Sequence, residues 1–216
     1  MFRASFFGQN RELKILCLGA HPDDIEIGCG GTVLRIVEEV PHALFYWAVF
    51  SGSEKRVKEA REAAKVFLNG VKSKEIVVHR FKESYFPFVG ASIKDCFEKL
   101  KREFYPDIVF THYRNDAHQD HCLISSLTWN TFRDNLIMEY EIPKYDGDLV
   151  TPNLYVHLNE SHVRKKIDSV LGNFATQKEK PWFTEETFRS ILRIRGMESN
   201  SPSSYSEAFH CRKIVI

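Results

Sequence analysis

The chain has 216 residues, of which 43% are hydrophobic and 27% are charged, a composition typical of a soluble globular domain. Its 30 basic and 29 acidic residues leave a net charge of +1, which gives no support to a nucleic-acid or membrane partner. No apolar run is long enough to cross a bilayer, and the N-terminus lacks the apolar core and cleavage site of a secretion signal. The five scattered cysteines form no C-x-x-C pair, which favours free thiols in a reducing compartment. We therefore expect a single cytoplasmic domain that spans residues 1–216.

Hydrophobic periodicity along the chain alternates between short buried strands and amphipathic helices. The first half predicts strands at 13–20, 43–50, 76–81 and 107–112, separated by helices at 31–40, 54–70 and 92–104. The second half predicts a helix at 118–132, strands at 136–142 and 153–158, helices at 162–174 and 185–196, and one more strand in the tail from residue 207. Strands and helices that alternate in this way predict an α/β fold, with a mostly parallel sheet that carries helices on both faces.

A polar and glycine-rich motif, G-A-H-P-D-D-I-E-I-G-C-G-G-T, spans residues 19–32, between the first strand and the first predicted helix. It places His21, Asp23 and Asp24 at the carboxyl end of a strand, which is where open α/β sheets bind ligands. Its glycines have neither the G-x-G-x-x-G spacing nor the lysine of a phosphate-binding loop, which counts against a nucleotide site. The simplest alternative is a polar turn whose aspartates cap the following helix.

A second polar cluster, T-H-Y-R-N-D-A-H-Q-D-H, spans residues 111–121 at the end of the fourth predicted strand. His118 and His121 are three residues apart at the start of a predicted helix, so their side chains share one helix face. Asp116 and Asp120 lie among them and are suited to orient imidazole rings. If strands one and four are neighbours, the two motifs meet. They then supply two histidines and one carboxylate to a divalent ion, with a coordination position left open as in catalytic zinc sites.

Taken together, these motifs resemble those of the PIG-L / LmbE-like deacetylase family. The matching segments are A-H-P-D-D (20–24), G-C-G-G-T (28–32) and H-Q-D-H (118–121), with R-x-x-E-A (56–60) and S-E-A-F (206–209) as weaker marks. The resemblance covers nearly the whole chain. It implies a Rossmann-like fold, a divalent metal that is usually zinc, and hydrolysis of the N-acetyl group of a carbohydrate such as an N-acetylglucosamine derivative.

The resemblance also implies roles for five residues at matching positions. It makes His21, Asp24 and His121 the ligands of Zn²⁺ or of another divalent ion. It makes Asp23 the general base that activates water. His118 becomes the second catalytic residue, which in its protonated form stabilises the oxyanion or protonates the departing amine.

Two further residues are candidate substrate contacts. Arg56 is placed to grip a hydroxyl or charged group of the substrate, with a solvated arginine on a polar helix as the alternative. Tyr113 lies in the loop after the fourth predicted strand. Many family members carry a substrate-contacting aspartate after strand three, whereas residues 81–87 contain none. We therefore expect Glu83 or Tyr85 to take its place.

Three functions are open at this point: a metal-dependent N-deacetylase, a catalytically idle metal-binding protein, and a Rossmann-type nucleotide-binding transferase. The presence of both Asp23 and His118 argues against idleness, and the missing glycine fingerprint argues against the transferase. The expected partner is a small N-acetylated sugar. A free sugar, a nucleotide sugar, a glycoside of a thiol precursor and a lipid-linked sugar all fit, and a soluble substrate is favoured because no lipid-binding segment is evident. The sequence is compatible with a homo-oligomer.

Overall fold

The computed structural model describes residues 12–215, in which seven strands form one sheet. The strands are β1 (Lys14–Gly19), β2 (Leu44–Ser51), β3 (Ser73–Phe81), β4 (Ile108–His112), β5 (Leu136–Tyr140), β6 (Leu154–Leu158) and β7 (Tyr205–His210). The helices are α1 (Asp24–Glu39), α2 (Glu54–Phe67), α3 (Gly90–Glu103), α4 (Gln119–Thr131), α5 (Glu160–Asn173) and α6 (Glu185–Glu198). Most of the N-terminal stretch that is predicted to lack a secretion signal, and the last residue of the predicted tail strand, lie outside this range.

The sheet is mostly parallel and carries helices on both faces, as the alternating pattern predicts. Its strand order is β3-β2-β1-β4-β5-β7-β6, and the first five strands of this order run parallel. Apolar residues of α1, α2, α5 and α6 share one core, while those of α3 and α4 share the other. In β1, Ile15 and Cys17 belong to the first core, whereas Leu16 and Leu18 belong to the second. A strand buried on both faces explains why this segment is a continuous apolar run.

Strand β1 lies between β2 and β4, so the direction of winding changes at this point. Ile15 pairs with Ile108 and Cys17 with Phe110, which confirms that the first and fourth strands are neighbours. The chain leaves β1 toward β2 and β3, and then crosses back to build β4 and β5 on the other side. This reversal opens a crevice at the carboxyl ends of β1 and β4, where doubly wound sheets place their ligands.

The start of the first helix was predicted wrongly. α1 begins at Asp24, not at residue 31, so most of the G-A-H-P-D-D-I-E-I-G-C-G-G-T motif is helical. Only the short turn from Ala20 to Asp23 separates β1 from the helix. Asp24 therefore occupies the first turn of a helix that starts directly at the crevice.

The sequence motif at residues 19–32 resembles a loop because three glycines lie within the helical part of it. A Cβ atom on Gly28 would lie 2.2 Å from the ring of Tyr140, and one on Gly30 would lie 2.5 Å from the ring of Phe67. Glycine is a poor helix former, but here it lets two aromatic rings pack directly on the helix backbone. Close packing has therefore overridden local propensity.

The second half adds two antiparallel strands to the parallel sheet. The predicted tail strand is shorter than expected and begins earlier, as β7 (Tyr205–His210), and it pairs antiparallel with both β5 and β6. All five cysteines are free thiols, as predicted. Among residues 12–215, no helix combines the length and apolar composition needed to cross a bilayer.

Candidate metal and catalytic site

Three side chains of the two predicted clusters converge in the crevice between β1 and β4. The Nδ1 atom of His21 lies 3.2 Å from Nε2 of His121 and 3.4 Å from Oδ2 of Asp24. The other carboxylate oxygen of Asp24 lies 3.6 Å from the same Nε2 atom of His121. All three residues are buried, with 6%, 4% and 3% of the surface of His21, Asp24 and His121 exposed. The structure thus brings together the three side chains that the resemblance implies as ligands.

The spacing and chemistry of these donors fit a divalent ion. Ligand atoms about 2.0–2.2 Å from a tetrahedral zinc ion are separated from one another by about 3.3–3.6 Å. The 3.2 Å between the two histidine nitrogens and the 3.4 Å from Nδ1 of His21 to Oδ2 of Asp24 are close to that range, and the other oxygen of Asp24 lies 3.6 Å from Nε2 of His121. Two imidazole nitrogens and one carboxylate are a donor set that suits zinc and leaves a position open for substrate or water.

Each histidine of this triad also has a carboxylate on the far side of its ring. Nε2 of His21 lies 3.1 Å from Oδ2 of Asp120, and Nδ1 of His121 lies 3.0 Å from Oδ2 of Asp116. Asp120 is held in turn by the backbone amide of Ser84, which donates a hydrogen bond of 2.6 Å. Carboxylates in this position fix the orientation of a ligating imidazole and increase its basicity.

The site contains a third buried histidine, His112, for which sequence alone gave no role. It ends β4, is fully buried, and its ring stacks on His121 with centroids 3.9 Å apart. Its Nε2 lies 3.2 Å from Asp24 but also accepts a 2.9 Å hydrogen bond from the amide of Ala20. Because that lone pair is engaged, His112 supports the crevice wall. A histidine at the last position of a strand next to the switch point was the signal available for it. Donor atoms within 4.8 Å of one another are found in two groups, His21 with His118 and His121, and Asp24 with His112 and His121, so the ligand set of His21, Asp24 and His121 stays a prediction.

Negative charge dominates the electrostatics of the triad. Burial disfavours the charged imidazole of His21, but Asp24 and Asp120 outweigh burial and raise the pKa of His21 to about 10. Burial works against the charged form of Asp24 as well, yet His121 and His112 hold the pKa of Asp24 well below its usual range. A site that retains a proton so strongly is also favourable for a metal cation.

Asp23, the residue expected to be the base, adopts a strained backbone conformation. It precedes α1 with φ of 97°, in the left-handed region that non-glycine residues rarely occupy. Burial raises the pKa of Asp23 to about 7, while the positive charge of Arg56 opposes this rise and the negative charge of Asp24 adds to it. Strained residues of this kind persist where the surroundings fix them, and they cluster at functional sites.

His118, the residue expected to be the second catalytic group, caps α4 and faces the triad. Its Nδ1 accepts a 3.2 Å hydrogen bond from the amide of Asp120. The ring centroid of His118 lies 4.8 Å from that of His21 and 4.7 Å from that of His121. Burial and the charge of His21 lower the pKa of His118. With Nδ1 acting as acceptor, the neutral ring carries its proton on Nε2.

The two predicted substrate contacts lie in different surroundings. Arg56 is directed at the base, because its Nη2 donates to Oδ1 of Asp23 at 3.1 Å and to the carbonyl of Pro22 at 2.5 Å. Tyr113 instead stacks on His210 of β7, with ring centroids 4.0 Å apart. Whether either side chain contacts a substrate stays a prediction.

The loop after β3 forms one rim of the crevice. Ser84 is hydrogen-bonded to Asp120, which ties this loop to the triad. Tyr85 and Phe88 follow it with 45% and 77% of their surfaces exposed and ring centroids 6.0 Å apart. Glu83, the expected substitute for the missing aspartate, lies 3.4 Å from Arg56. An exposed aromatic pair therefore follows directly on the residue that ties this loop to Asp120.

The sequence of this chain matches a known protein family. The sequence model described as PIG-L: GlcNAc-PI de-N-acetylase matches residues 16–132, which is more than half of the chain and includes both motifs. An uncharacterised deacetylase of Escherichia coli K12, YaiS, is 27% identical over 148 residues, which are 62% of this chain and 76% of that protein.

Solved structures share the fold over nearly the whole chain. The conserved protein TT1542 of Thermus thermophilus has a TM-score of 0.75 and 22% identity, covering 94% of this chain and 96% of its own. The N,N'-diacetylchitobiose deacetylase of Pyrococcus horikoshii has a TM-score of 0.69 and 21% identity, covering 92% of this chain and 83% of its own. The 4-carboxy-2-hydroxymuconate hydratase of Pseudomonas putida has a TM-score of 0.70 and 15% identity, covering 94% and 98%. At these identities the likeness shows the Rossmann-like fold alone. The structures that share it include a deacetylase and a hydratase, so the fold does not fix the reaction.

Proposed function

This chain belongs to the PIG-L family, and from that premise we propose that it is a metal-dependent deacetylase that hydrolyses the N-acetyl group of an amino-sugar substrate. The observation that carries the proposal is the convergence of His21, Asp24 and His121 with donor separations of 3.2–3.6 Å. We propose these three residues as the ligands of Zn²⁺ or another divalent ion, within a single domain. A divalent ion bound there supplies a Lewis acid that polarises the acetamide carbonyl and lowers the pKa of water to about 7.

Asp23 is proposed as the general base. The adjacent carboxylate of Asp24 faces His21 and His121, whereas Asp23 lies against Arg56, 3.1 Å away, and has a left-handed backbone. In the metal-free protein burial raises its pKa to about 7, which brings this carboxyl close to the range of a group that accepts and returns a proton near neutral pH. Asp23 removes one proton from the attacking water as the oxygen adds to the carbonyl carbon.

His118 is proposed to stabilise the charge that develops on the carbonyl oxygen. Because the Asp120 amide occupies Nδ1 of His118, the Nε2–H group is the one available for donation. A preorganised donor aimed at the oxyanion stabilises the tetrahedral intermediate. When the C–N bond breaks, the amine nitrogen takes the proton that Asp23 received, and acetate and a free amine are released. This neutral donor differs from the protonated His118 expected from the resemblance.

An amino sugar is the proposed substrate class because of the crevice rim as well as the family. Tyr85 and Phe88 present exposed rings on the loop that Ser84 ties to Asp120, and aromatic rings pack well on the apolar faces of sugars. The position of Arg56 beside Asp23 and Glu83 makes it a support of the base more than a free substrate clamp. Tyr113 remains proposed as a more distant contact.

The experiment that tests this proposal combines metal analysis with acetate release. Purified protein is analysed for bound zinc and then incubated with N-acetylglucosamine, its glycosides, a nucleotide sugar and N,N'-diacetylchitobiose, and free acetate is measured. The proposal expects about one metal per chain and metal-dependent acetate release from at least one sugar. Metal-loaded protein that releases no acetate from any of them contradicts the proposed reaction and favours an idle metal-binding protein or a hydratase-like activity.

A further inference from the structure

A buried ion pair joins α5 to β7 behind the metal-binding end of α1. Nζ of Lys166 lies 2.6 Å from Oε1 of Glu207, and their side chains are only 3% and 2% exposed. We infer that Lys166 and Glu207 are positioning residues, which hold α1 so that Asp23 and Asp24 meet the two ligating histidines. This inference rests on the proposed function.

The pair is attached to one particular turn of α1. Lys166 donates a 2.6 Å hydrogen bond to the carbonyl of Ile27, while the amide of Gly31 donates a 2.7 Å hydrogen bond to Oε1 of Glu207. Ile27 and Gly31 are four residues apart, so these are the carbonyl and the amide that bond to each other in a regular helix. The amide of Thr32 donates to the other oxygen of Glu207 at 2.6 Å. Two side chains from distant elements therefore bridge the two ends of one helical hydrogen bond.

This turn is directly connected to the strained base. The amide of Ile27 donates a 2.9 Å hydrogen bond to the carbonyl of Asp23. Lys166 therefore holds the same residue, Ile27, that anchors the backbone of Asp23 at its φ of 97°. A left-handed aspartate persists only when its surroundings over-determine it. Fixing Ile27 from behind prevents the first turn of α1 from relaxing.

A glycine is required for the carboxylate to reach the helix. A Cβ atom on Gly31 would lie 2.4 Å from Leu158 and 3.0 Å from Oε1 of Glu207. The glycine thus admits both the Leu158 side chain and the carboxylate to the helix backbone. This accounts for two motifs that the catalytic residues do not use, G-C-G-G-T and S-E-A-F.

A purely stabilising role is the alternative, and it makes a different prediction. Replacing a buried ion pair by apolar residues of similar volume is often neutral for stability or even favourable, whereas removing one partner is strongly destabilising. If Lys166 and Glu207 only stabilise the fold, a double apolar substitution that folds leaves the metal site intact. If they position α1, the same substitution releases this turn of the helix from α5 and β7 and weakens metal binding.

The test compares Glu207→Gln with the double variant Lys166→Met/Glu207→Leu, which leaves no unpaired buried charge. Zinc dissociation constants are measured by competition with a chromophoric chelator, and the melting temperature of each metal-free protein is measured in excess chelator. Phe97→Leu is the control, since Phe97 lies in the core on the other face of the sheet. We expect both variants to bind zinc at least tenfold more weakly than wild type. The control Phe97→Leu should keep wild-type zinc affinity, although its melting temperature is similar to or lower than those of the two variants.

The possible outcomes distinguish a failure of the positioning role from a failure of the proposed deacetylase function. Wild-type zinc affinity in the folded double variant overturns the positioning role and leaves the proposed deacetylase untouched. The positioning role is also overturned if the two variants lose no more zinc affinity than Phe97→Leu does when the melting temperatures are equal. A wild-type chain that binds no divalent metal overturns the proposed function, and the positioning role falls with it.

Discussion

The guanidinium group of Arg56 lies 3.1 Å from the carboxylate of Asp23, and the same nitrogen donates to the carbonyl of Pro22. One arginine of α2 thus fixes both the side chain of the proposed base and the turn that carries it. Burial raises the pKa of Asp23 to about 7, and Arg56 limits this rise. The activity of the base is therefore expected to depend on Arg56 through charge, in addition to any contact with substrate.

Removing this charge should move the acidic limb of the pH profile. In Arg56→Met, the pKa of Asp23 rises further because the opposing positive charge is lost, so a smaller fraction of Asp23 is ionised at pH 7. We expect the acidic limb of kcat/KM to shift upward by about 1–3 pH units. Arg61→Met is the matched control, since Arg61 lies on the same helix and donates to the carbonyl of Ile76. An unchanged limb in Arg56→Met would show that the titrating base is another group.

The carboxylate behind His21 should contribute to metal affinity. Asp120→Asn keeps the shape of the side chain but removes the negative charge 3.1 Å from Nε2 of His21. Changes of this kind commonly cost about 10–100-fold in affinity. We expect a loss of this size in the zinc dissociation constant, and none in Asp134→Asn, where the carboxylate lies on the surface and accepts from Tyr105. Equal affinities in the two variants would refute the orienting role of Asp120.

Metal binding should release a proton. The pKa of His21 is raised to about 10 in the metal-free protein, so its ring is protonated at pH 7. A ligating imidazole must be neutral, so binding displaces about one proton from His21. Calorimetry in buffers of different ionisation enthalpy measures this number, and zinc affinity should rise with pH between 7 and 10. Zinc binding at pH 7 without proton release would exclude His21 as a protonated ligand.

The same shift predicts how the metal-free protein responds to pH. The folded-state pKa of His21 lies above its unfolded value of 6.5, so its stabilising contribution is complete below that value and is lost as pH rises toward about 10. The pKa of the buried acid Asp23 is also raised, so its contribution too lowers the free energy of unfolding as pH rises through about 7. Urea unfolding in excess chelator should therefore give a lower free energy of unfolding at pH 9 than at pH 6. A higher value at pH 9 would contradict the proposed charge states.

A glycine-to-alanine pair tests the packing of α1. In Gly28→Ala the new methyl group meets the ring of Tyr140 at 2.2 Å, so we expect a loss of about 1–3 kcal/mol in the free energy of unfolding. Gly172 is the control, because it lies in α5 with open space around its Cβ position. Gly172→Ala should be neutral or stabilising by up to about 1 kcal/mol. Similar effects at both sites would rule out a packing role for Gly28.

Much of the site was predictable because it depends on regular periodicity. The apolar runs of β1 and β4 predict adjacent parallel strands if the order reverses between them, and this brings His21 and His121 to one edge. The carboxylates Asp116 and Asp120 were expected beside these imidazoles, and they lie 3.0–3.1 Å from them. The helical start at Asp24 was missed because three nearby glycines reduce helix propensity. Only tertiary packing explains them, against Tyr140 and Phe67 for two of the glycines and against Leu158 and Glu207 for the third.

Other features depend on contacts that no local pattern contains. The position of His112 at the end of a strand next to the switch point marks it in sequence, but its role follows only from its stacking on His121. Lys166 and Glu207 come from a helix and a strand 41 residues apart, and each reaches the backbone of α1. Pairings of this kind are set by tertiary packing, which sequence periodicity does not specify.

The most direct test of the deacetylase is the acetate-release rate of Asp23→Asn, measured on protein whose zinc content has been determined. Asp95→Asn, a substitution in α3 and away from the crevice, is the control. We expect Asp23→Asn to keep one metal per chain and to lose about 10²–10⁴-fold in acetate release from the best N-acetyl sugar, while the control keeps the wild-type rate. A metal-loaded Asp23→Asn protein that releases acetate as fast as wild type would contradict the assignment of the base and with it the proposed mechanism.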